Sequence, residues 1–396
     1  MFPTDIVIVA GARTPMARYT GSFSEVSAID LGAHAAKEAV RRSGVDPAEI
    51  DHAIFGNVLQ TSADAIYGAR HVALKAGLPM ATPALTVNRL CGSGIEAIAQ
   101  SAQRLLLGEA NVVLAGGMEN MTQAPFVIRG ARTGLKLGGG TLEDFLFVGL
   151  TDSYCGMPMA VTAENLAKQT GITRKDSDAY ALRSQQAAEA ASRAGYFKEE
   201  IVPLEVRQGR KTILVSEDDH RRPETTLETL EKLPPSFKKD GMVTAGNASG
   251  IVDGAAAVVV TRERIAKERG WKPVGRIVSW AVVGVDPTIM GIGPVPATQK
   301  ALELAGLKLE QMDRVEVNEA FASQYLAVEK ALGLQRDKTN VNGGAIALGH
   351  PLGASGTRLV ITLLNELRRK NFRYGLATAC IGGGQGIAMI VEAIQN

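Results

Sequence analysis

Several things are scarce in this chain. Cysteine is one: Cys91, Cys155 and Cys380 are the only three in 396 residues. They are too few and too far apart for a disulfide framework, which points to a reducing compartment. The five histidines, at 34, 52, 71, 220 and 350, fall at no metal-ligand spacing with them, so no metal site is expected. Neither sign of charge prevails. With 43 Lys and Arg against 41 Asp and Glu, there is no field to hold nucleic acid or a membrane surface, and an anionic ligand has to meet a local patch. No run approaches the ~18 apolar residues of a membrane-spanning helix. Residues 1–5 lack the basic segment of a secretion signal. The closing Ile394-Gln395-Asn396 is no peroxisomal or ER-retention tail. A cytoplasmic protein is expected, with an uncleaved organelle address left open.

What is present is apolar bulk and glycine. The chain is 45% apolar with 43 glycines, enough for a substantial core in two or three domains and incompatible with disorder. Short β-branched runs alternate with Ala-rich amphipathic segments, the pattern of α/β layers. Strands are expected at 5–10, 84–88 and 111–116. Helices are expected at 30–43, with Asp30 as N-cap and Gly44 as stop, and at 93–107. The second half replays the order: 313–318 is similar to 51–57, 340–342 to 86–88, and 376–383 to 112–117. That implies a duplicated domain rather than a solenoid. We divide the chain into an N-terminal half at 1–120, completed by about 251–273, an inserted loop region at 121–250, and a C-terminal half at 274–396. The insertion keeps its own periodicity, with helices at 162–170 and 173–194 and a capping-box start at Thr173 and Asp176. Structured insertions on a rigid scaffold commonly carry binding.

Four segments could carry chemistry. Cys91 lies in NRLCGSG (88–94), between a strand and a helix. A sulfur at a helix N-terminus is favoured as thiolate, and Gly92 and Gly94 would let a backbone N–H reach a developing oxyanion. A buried cysteine at a tight turn fits the same pattern. His350 lies in GGAIALGHPLGASG (343–356), where Pro351 holds it out of helical geometry and glycines leave little bulk around the ring. It reads as an acid/base group or as a turn histidine with a satisfied ring. Cys380 ends a strand in ACIGGGQG (379–386) and could meet Cys91 at the ends of adjacent central strands. In VNEAFA (317–322), Asn318 could cap a helix or orient a water, and Glu319 could be a solvated helix residue or a partner of His350. Two thiols, an imidazole and an amide in such settings suggest acyl transfer through a thioester.

Taken in order, NRLCGSG, VTAGNASG (243–250), VNEAFA, GGAIALGHPLGASG and ACIGGGQG resemble the signatures of the thiolase family. SADAIYGARH (62–71), LPPSFKKDG (233–241) and MGIGPVPA (290–297) are similar to its mitochondrial 3-ketoacyl-CoA branch. The resemblance implies a five-layered α/β/α/β/α fold of two duplicated halves plus a loop domain. It implies Cys91 as the acylated nucleophile, and His350 as its activator and, with a water on Asn318, as one oxyanion hole. Cys380 would move a proton at the substrate α-carbon, and the N–H groups of Cys91 and Gly382 would form a second hole. Coenzyme A would be a co-substrate rather than a resident cofactor, along Arg222, Leu233, Phe237, Ala245 and Ser249, with Met159, Met290 and Phe321 nearer the thioester. Arg222 follows His220 and Arg221, a local positive patch. The implied reaction is reversible cleavage of 3-ketoacyl-CoA by CoA, in fatty-acid β-oxidation, by a dimer of dimers. A short-chain biosynthetic acetoacetyl-CoA thiolase is the alternative. Pro158, where that group tends to have histidine, tilts against it. A ketosynthase would use two histidines, and a non-catalytic CoA- or lipid-binding scaffold would tolerate loss of these polar groups.

Overall fold

The computed structural model describes residues 5–395; the N-terminal reading at residues 1–4 and the terminal Asn396 lie outside the described residues. In the first half the strands are β1 (Ile6–Arg13), β2 (Ala17–Arg18), β3 (His52–Gly56), β4 (Ala84–Val87), β5 (Val112–Glu119) and β6 (Val252–Arg262). The second half supplies β7 (Gly275–Gly284), β8 (Arg314–Val317), β9 (Tyr374–Ile381) and β10 (Gln385–Ala393). Their order is β8-β9-β10-β7-β1-β6-β5-β3-β4, with β2 added beside β6. Each half places parallel strands outside and antiparallel ones inside: β3 is parallel to β4 and β5, and β8 to β9. The sheets of the two halves are joined edge to edge by β1 and β7, where Val7 pairs with Arg276 and Ile8 with Gly275.

The repeat expected from sequence is present with one loss. Residues 313–318 and 376–383 supply β8 and β9 as 51–57 and 112–117 supply β3 and β5. Residues 340–342, the counterpart of 86–88, form no strand. One parallel bridge, Val315 with Thr339, marks the place.

The layers follow from which strand faces are apolar. Helices α1 (Ala28–Ser43) and α2 (Gly68–Lys75) cover the outer face of the first half. The helix α3 (Ser93–Leu107) lies inside. In the insertion are α4 (Met159–Thr170) and α5 (Arg174–Arg193), followed by α6 (Pro294–Ala305), α7 (Ala322–Leu332) and α8 (Leu352–Arg369). Both α6 and α7 pack into the outer core of the second half. Between the halves α3 and α8 share one core with inward residues of both, from Ile54 and Val113 to Ala377 and Met389. The result is the expected five-layered fold. Residues 352–364 of α8 are all buried, because a helix between two sheets has no solvent face. At α1 the cap is Ser27 rather than Asp30: the Ser27 side chain accepts from the Asp30 amide, and the helix begins at Ala28.

The glycines of the two central motifs serve this middle layer. A Cβ at Gly94 would stand 2.4 Å from the Thr357 amide nitrogen, and one at Gly356 would stand 2.4 Å from that of Ile95. A Cβ at Gly353 would stand 2.6 Å from the Met118 carbonyl oxygen. These glycines therefore permit backbone-to-backbone contact of α3, α8 and β5, whereas the sequence suggested room around reactive groups. Gly356→Ala is expected to lower unfolding stability by about 2 kcal/mol or more through overpacking. A denaturant midpoint equal to that of the parent would contradict this packing.

Candidate functional site

Cys91 lies in a short 3-10 turn, Leu90–Gly92, immediately before α3. Leu90 has φ of +45°, a left-handed conformation costing a non-glycine residue about 1–2 kcal/mol. Three hydrogen bonds hold it there: the Leu90 N–H to Asn88 Oδ1 at 3.0 Å, the Arg89 N–H to Ser93 Oγ at 2.9 Å, and Ser93 Oγ–H to the Leu90 carbonyl at 2.7 Å. Arg89 donates from Nε to Glu96 and from Nη1 to Gln385 Oε1, both at 2.9 Å, tying this turn to the start of β10.

Cys380 lies near the end of β9 and is wholly buried. The two thiols come within electrostatic range of one another, but not by strand adjacency as expected. Cys91 follows β4, the edge strand of the first half, and reaches Cys380 only because α3 begins beneath the 381–382 segment. The fit there is close: a Cβ at Gly92 would stand 2.6 Å from Ile381 Cδ1. The Gly382 N–H donates to the Cys91 sulfur, and a charge on Cys91 raises the Cys380 thiol.

His350 immediately precedes Pro351, the N-cap of α8. Its Nδ1 lies 2.5 Å from Ser355 Oγ, and that hydroxyl donates to the Pro351 carbonyl at 3.0 Å. Ser355 Oγ therefore accepts from Nδ1–H, leaving Nε2 as the ring's acceptor. Asn318 Nδ2 donates to that Nε2 at 3.2 Å. Asn318 thus orients His350 and caps no helix; the cap of α7 is Phe321. Glu319 serves neither role expected of it. It is buried and accepts from Tyr180 Oη at 2.7 Å, Ser184 Oγ at 2.6 Å, Asn340 Nδ2 at 3.0 Å and the Ile346 N–H at 3.1 Å.

Protonation differs from the helix-dipole expectation. Burial pushes the Cys91 thiol up to about 11, and the N–H groups of Gly382 and Cys91 offset only part of that. Cys380 is pushed well above the usual thiol range by burial and then by Cys91. Burial, then the Arg358 charge, lowers His350 to about 3. Near neutral pH the resting site is two thiols and a neutral imidazole.

Beside these groups is a cavity of about 650 Å³. His350, Met159, Phe321, Arg222, Phe237, Ala245 and Ser249 line it, with Met121, Leu146 and Leu352. Neither thiol is itself part of this lining: Cys91 is half-buried and Cys380 wholly buried. Cys91 packs against Leu352, Leu146 and Met121, and Cys380 packs with Met159 and Phe321. The 243–250 segment forms one wall because it is laced to the others: the Ser249 N–H donates to the Ala320 carbonyl at 3.0 Å, and the His350 N–H to the Gly250 carbonyl at 2.9 Å. Leu233 and Met290 lie outside the lining. Leu233 packs against the second-half core, and Met290 is buried beside Cys380.

The thiolase N-terminal domain matches residues 6–264 and the thiolase C-terminal domain matches residues 271–393. The chain belongs to the thiolase family. This thiolase is 55% identical to human mitochondrial 3-ketoacyl-CoA thiolase over 391 residues, 98% of each chain. It is 49% identical over 387 residues to an acetyl-CoA acetyltransferase of Pseudomonas aeruginosa, covering 97% of this chain and 98% of the relative. A crystal structure of the human mitochondrial enzyme in complex with CoA superposes with a TM-score of 0.96 at 54% identity, covering 99% of this chain and 98% of that one.

Two residues of this thiolase site escaped the sequence reading. Ser355 fixes the His350 tautomer from one helical turn onward, a contact that no spacing advertises. Glu119, wholly buried, accepts from Asn57 Nδ2 and the Leu59 N–H at 3.0 Å, the Val58 N–H at 3.1 Å and the Gly353 N–H at 2.9 Å. It clamps the N-terminus of α8 behind Cys91, and burial raises it to about 7. Because the Cys91 thiol is protonated at rest, its alkylation by iodoacetamide should climb about tenfold per pH unit between about pH 6 and 9. A plateau below about pH 8 would instead mean a preformed thiolate.

Proposed function

We propose that this thiolase catalyses the reversible cleavage of a 3-ketoacyl-CoA by CoA, giving acyl-CoA and acetyl-CoA through an acyl group on Cys91, as an enzyme of fatty-acid β-oxidation. The observation that carries this reading is that two thiols, Cys91 with Met121, Leu146 and Leu352 and Cys380 with Met159 and Phe321, both pack against side chains lining one cavity that also presents His350. A hydrolase would need no second thiol; a carbon–carbon bond exchange needs a separate proton donor for the carbanion.

Cys91 Sγ attacks the 3-keto carbonyl as His350 Nε2, giving up its hydrogen bond from the Asn318 amide, takes its proton. The C2–C3 bond breaks, its electron pair forms the enolate of acetyl-CoA, and Cys380 gives C2 a proton. The acyl group is left on Cys91. The thiol of incoming CoA then attacks that acyl carbon and passes its proton to Cys380, while the departing Cys91 thiolate recovers the proton held by His350. A neutral thiol beside a neutral imidazole suits this order, since charge forms only when the substrate is in place. The Gly382 and Cys91 N–H groups, directed at the sulfur at rest, would turn to the thioester oxygen once that sulfur is acylated. Asn318 Oδ1 is buried without a hydrogen-bond partner, which supports a water held there for the other oxyanion.

Coenzyme A is a co-substrate of this reaction, entering along Arg222, Phe237, Ala245 and Ser249. Pro158 and the apolar Met121, Leu146, Phe147 and Leu150 in the same lining support acyl chains longer than acetyl. We keep the division into halves at 1–120 with 251–273 and at 274–396 around a loop domain at 121–250. We also keep a dimer of dimers, supported by the open edge of β4 and by a hairpin, Phe126–Ile128 with Leu142–Asp144, that exposes Phe126, Leu137 and Leu142. Among the described residues no helix is long and apolar enough to cross a membrane. Three free cysteines support a reducing compartment. That fits both the cytoplasm read from sequence and the mitochondria named for the human relative.

Brief exposure to acetoacetyl-CoA followed by peptide mapping should leave an acetyl group on Cys91 that is lost on adding CoA. Cys380→Ser should still be acetylated at Cys91 by acetyl-CoA, yet lose cleavage by about a hundredfold to ten-thousandfold. Acetylation elsewhere, or cleavage at the parent rate in Cys380→Ser, would refute the assignment.

A further inference from the structure

We propose that Arg18 is a second phosphate-binding arm of the cavity, acting with Arg222 on the phosphates of coenzyme A; this rests on the thiolase reading of that cavity. The chain carries almost no net charge, so a ligand bearing several phosphates must find its cations locally. Both Arg18 and Arg222 line the cavity.

Three other basic side chains nearby are already committed. Arg13 is fully buried between Glu200 at 2.9 Å and Asp218 at 2.7 Å. Arg221 pairs with Glu189 at 2.7 Å and Glu217 at 3.2 Å. His220 bonds through Nδ1 to the Ala347 carbonyl at 3.1 Å and is held below its ordinary pKa by burial. The guanidinium groups of Arg18 and Arg222 have no carboxylate partner among the described residues. Each residue is fixed by its backbone: the Arg18 N–H donates to Asp219 Oδ1 at 2.5 Å, and the Arg222 N–H to Gln185 Oε1 at 2.9 Å.

The fold brings the two arms together. Strand β2 runs between two segments that form cavity wall. On one side Arg18 pairs with Val252, and the Tyr19 N–H donates to the Ile251 carbonyl at 3.0 Å. On the other, the Asp219 N–H donates to the Met16 carbonyl at 3.2 Å, and Arg222 follows three residues later. Two carboxylates lie near. Asp144 lines the cavity, with its Oδ1 accepting from the Leu146 N–H at 2.9 Å, and Asp219 accepts from the Arg18 backbone. Neither ties down a guanidinium. The exposed rings of Tyr19 and Phe237 share the lining and offer a face to a purine between the arginines. Two free guanidinium groups with aromatic surface suit the phosphorylated adenosine end of coenzyme A, while the apolar wall near Cys91 suits its acyl end.

The test is titration calorimetry of the full chain and of Arg18→Ala with CoA, 3′-dephospho-CoA and pantetheine. The variant should bind CoA about fivefold to twentyfold more weakly, as for loss of one charged hydrogen bond near solvent. Pantetheine, which has no phosphate, should shift by less than about twofold. A loss confined to CoA assigns the 3′-phosphate, an equal loss with 3′-dephospho-CoA assigns the diphosphate, and either supports the proposal. Salt should weaken CoA binding more steeply in the parent than in the variant, and Arg18→Lys should recover part of the affinity. Unchanged CoA affinity, or an equal loss with pantetheine, overturns it. CoA binding in a protein whose Cys91 is never acylated would break the thiolase reading and leave this one standing.

Discussion

The backbone contact between α3 and α8 is the constraint on which the site depends. Gly94 and Gly356 allow it: neither can carry a Cβ without striking the amide backbone of the other helix. Cys91 stands just before the first turn of α3, and His350 just before the first turn of α8. Their meeting is thus decided by how closely two buried helices cross, not by loops reaching across a surface. Glu119 reinforces it by binding the Gly353 N–H and the 58–59 backbone together. An acid at the α8 N-terminus is also favourably placed on the helix dipole.

The same burial sets the chemistry. A middle layer between two sheets is dry, and a dry site resists charge. It therefore keeps Cys91 and Cys380 as thiols and His350 as an imidazole, against the local helix-terminal donors. Polar groups inside it are positioned by neighbours instead of by water. Ser355 and Asn318 each take one ring nitrogen of His350, and Asn318 is itself placed by its N–H to the Thr378 carbonyl at 2.9 Å, two residues before Cys380. Proton transfer between such neutral partners needs no prior ion pair, only a substrate carbonyl to accept the electrons.

Much of this was legible in the chain itself. The alternation of β-branched and Ala-rich runs carried the layers, and the Thr173–Asp176 capping box is present at α5. The motifs led to Cys91, His350, Cys380 and Asn318 because each lies in a short segment with unusual backbone demands. The rest depended on three-dimensional packing. The motif glycines looked like room around the reactive sulfur and imidazole, yet Gly94 and Gly356 are spent on helix contact, and Gly349, at φ of +92°, abuts Val252. The net polarity of the Cys91 pocket could not be judged from Cys91 and its sequence neighbours. Desolvation comes from residues such as Leu59, Met121 and Leu352, far away in the chain. Glu319 sits one residue from Asn318 but faces Tyr180 and Ser184 of α5, a direction that adjacency does not reveal.

The most direct test of the account is the crystal structure of this protein after soaking with acetyl-CoA. Density should run continuously from Cys91 Sγ into an acetyl group, with Cys380 Sγ and His350 Nε2 both within about 3–4 Å of it. An acetyl group on Cys155 or Cys380 would contradict it, as would an acetylated Cys91 with either partner directed elsewhere.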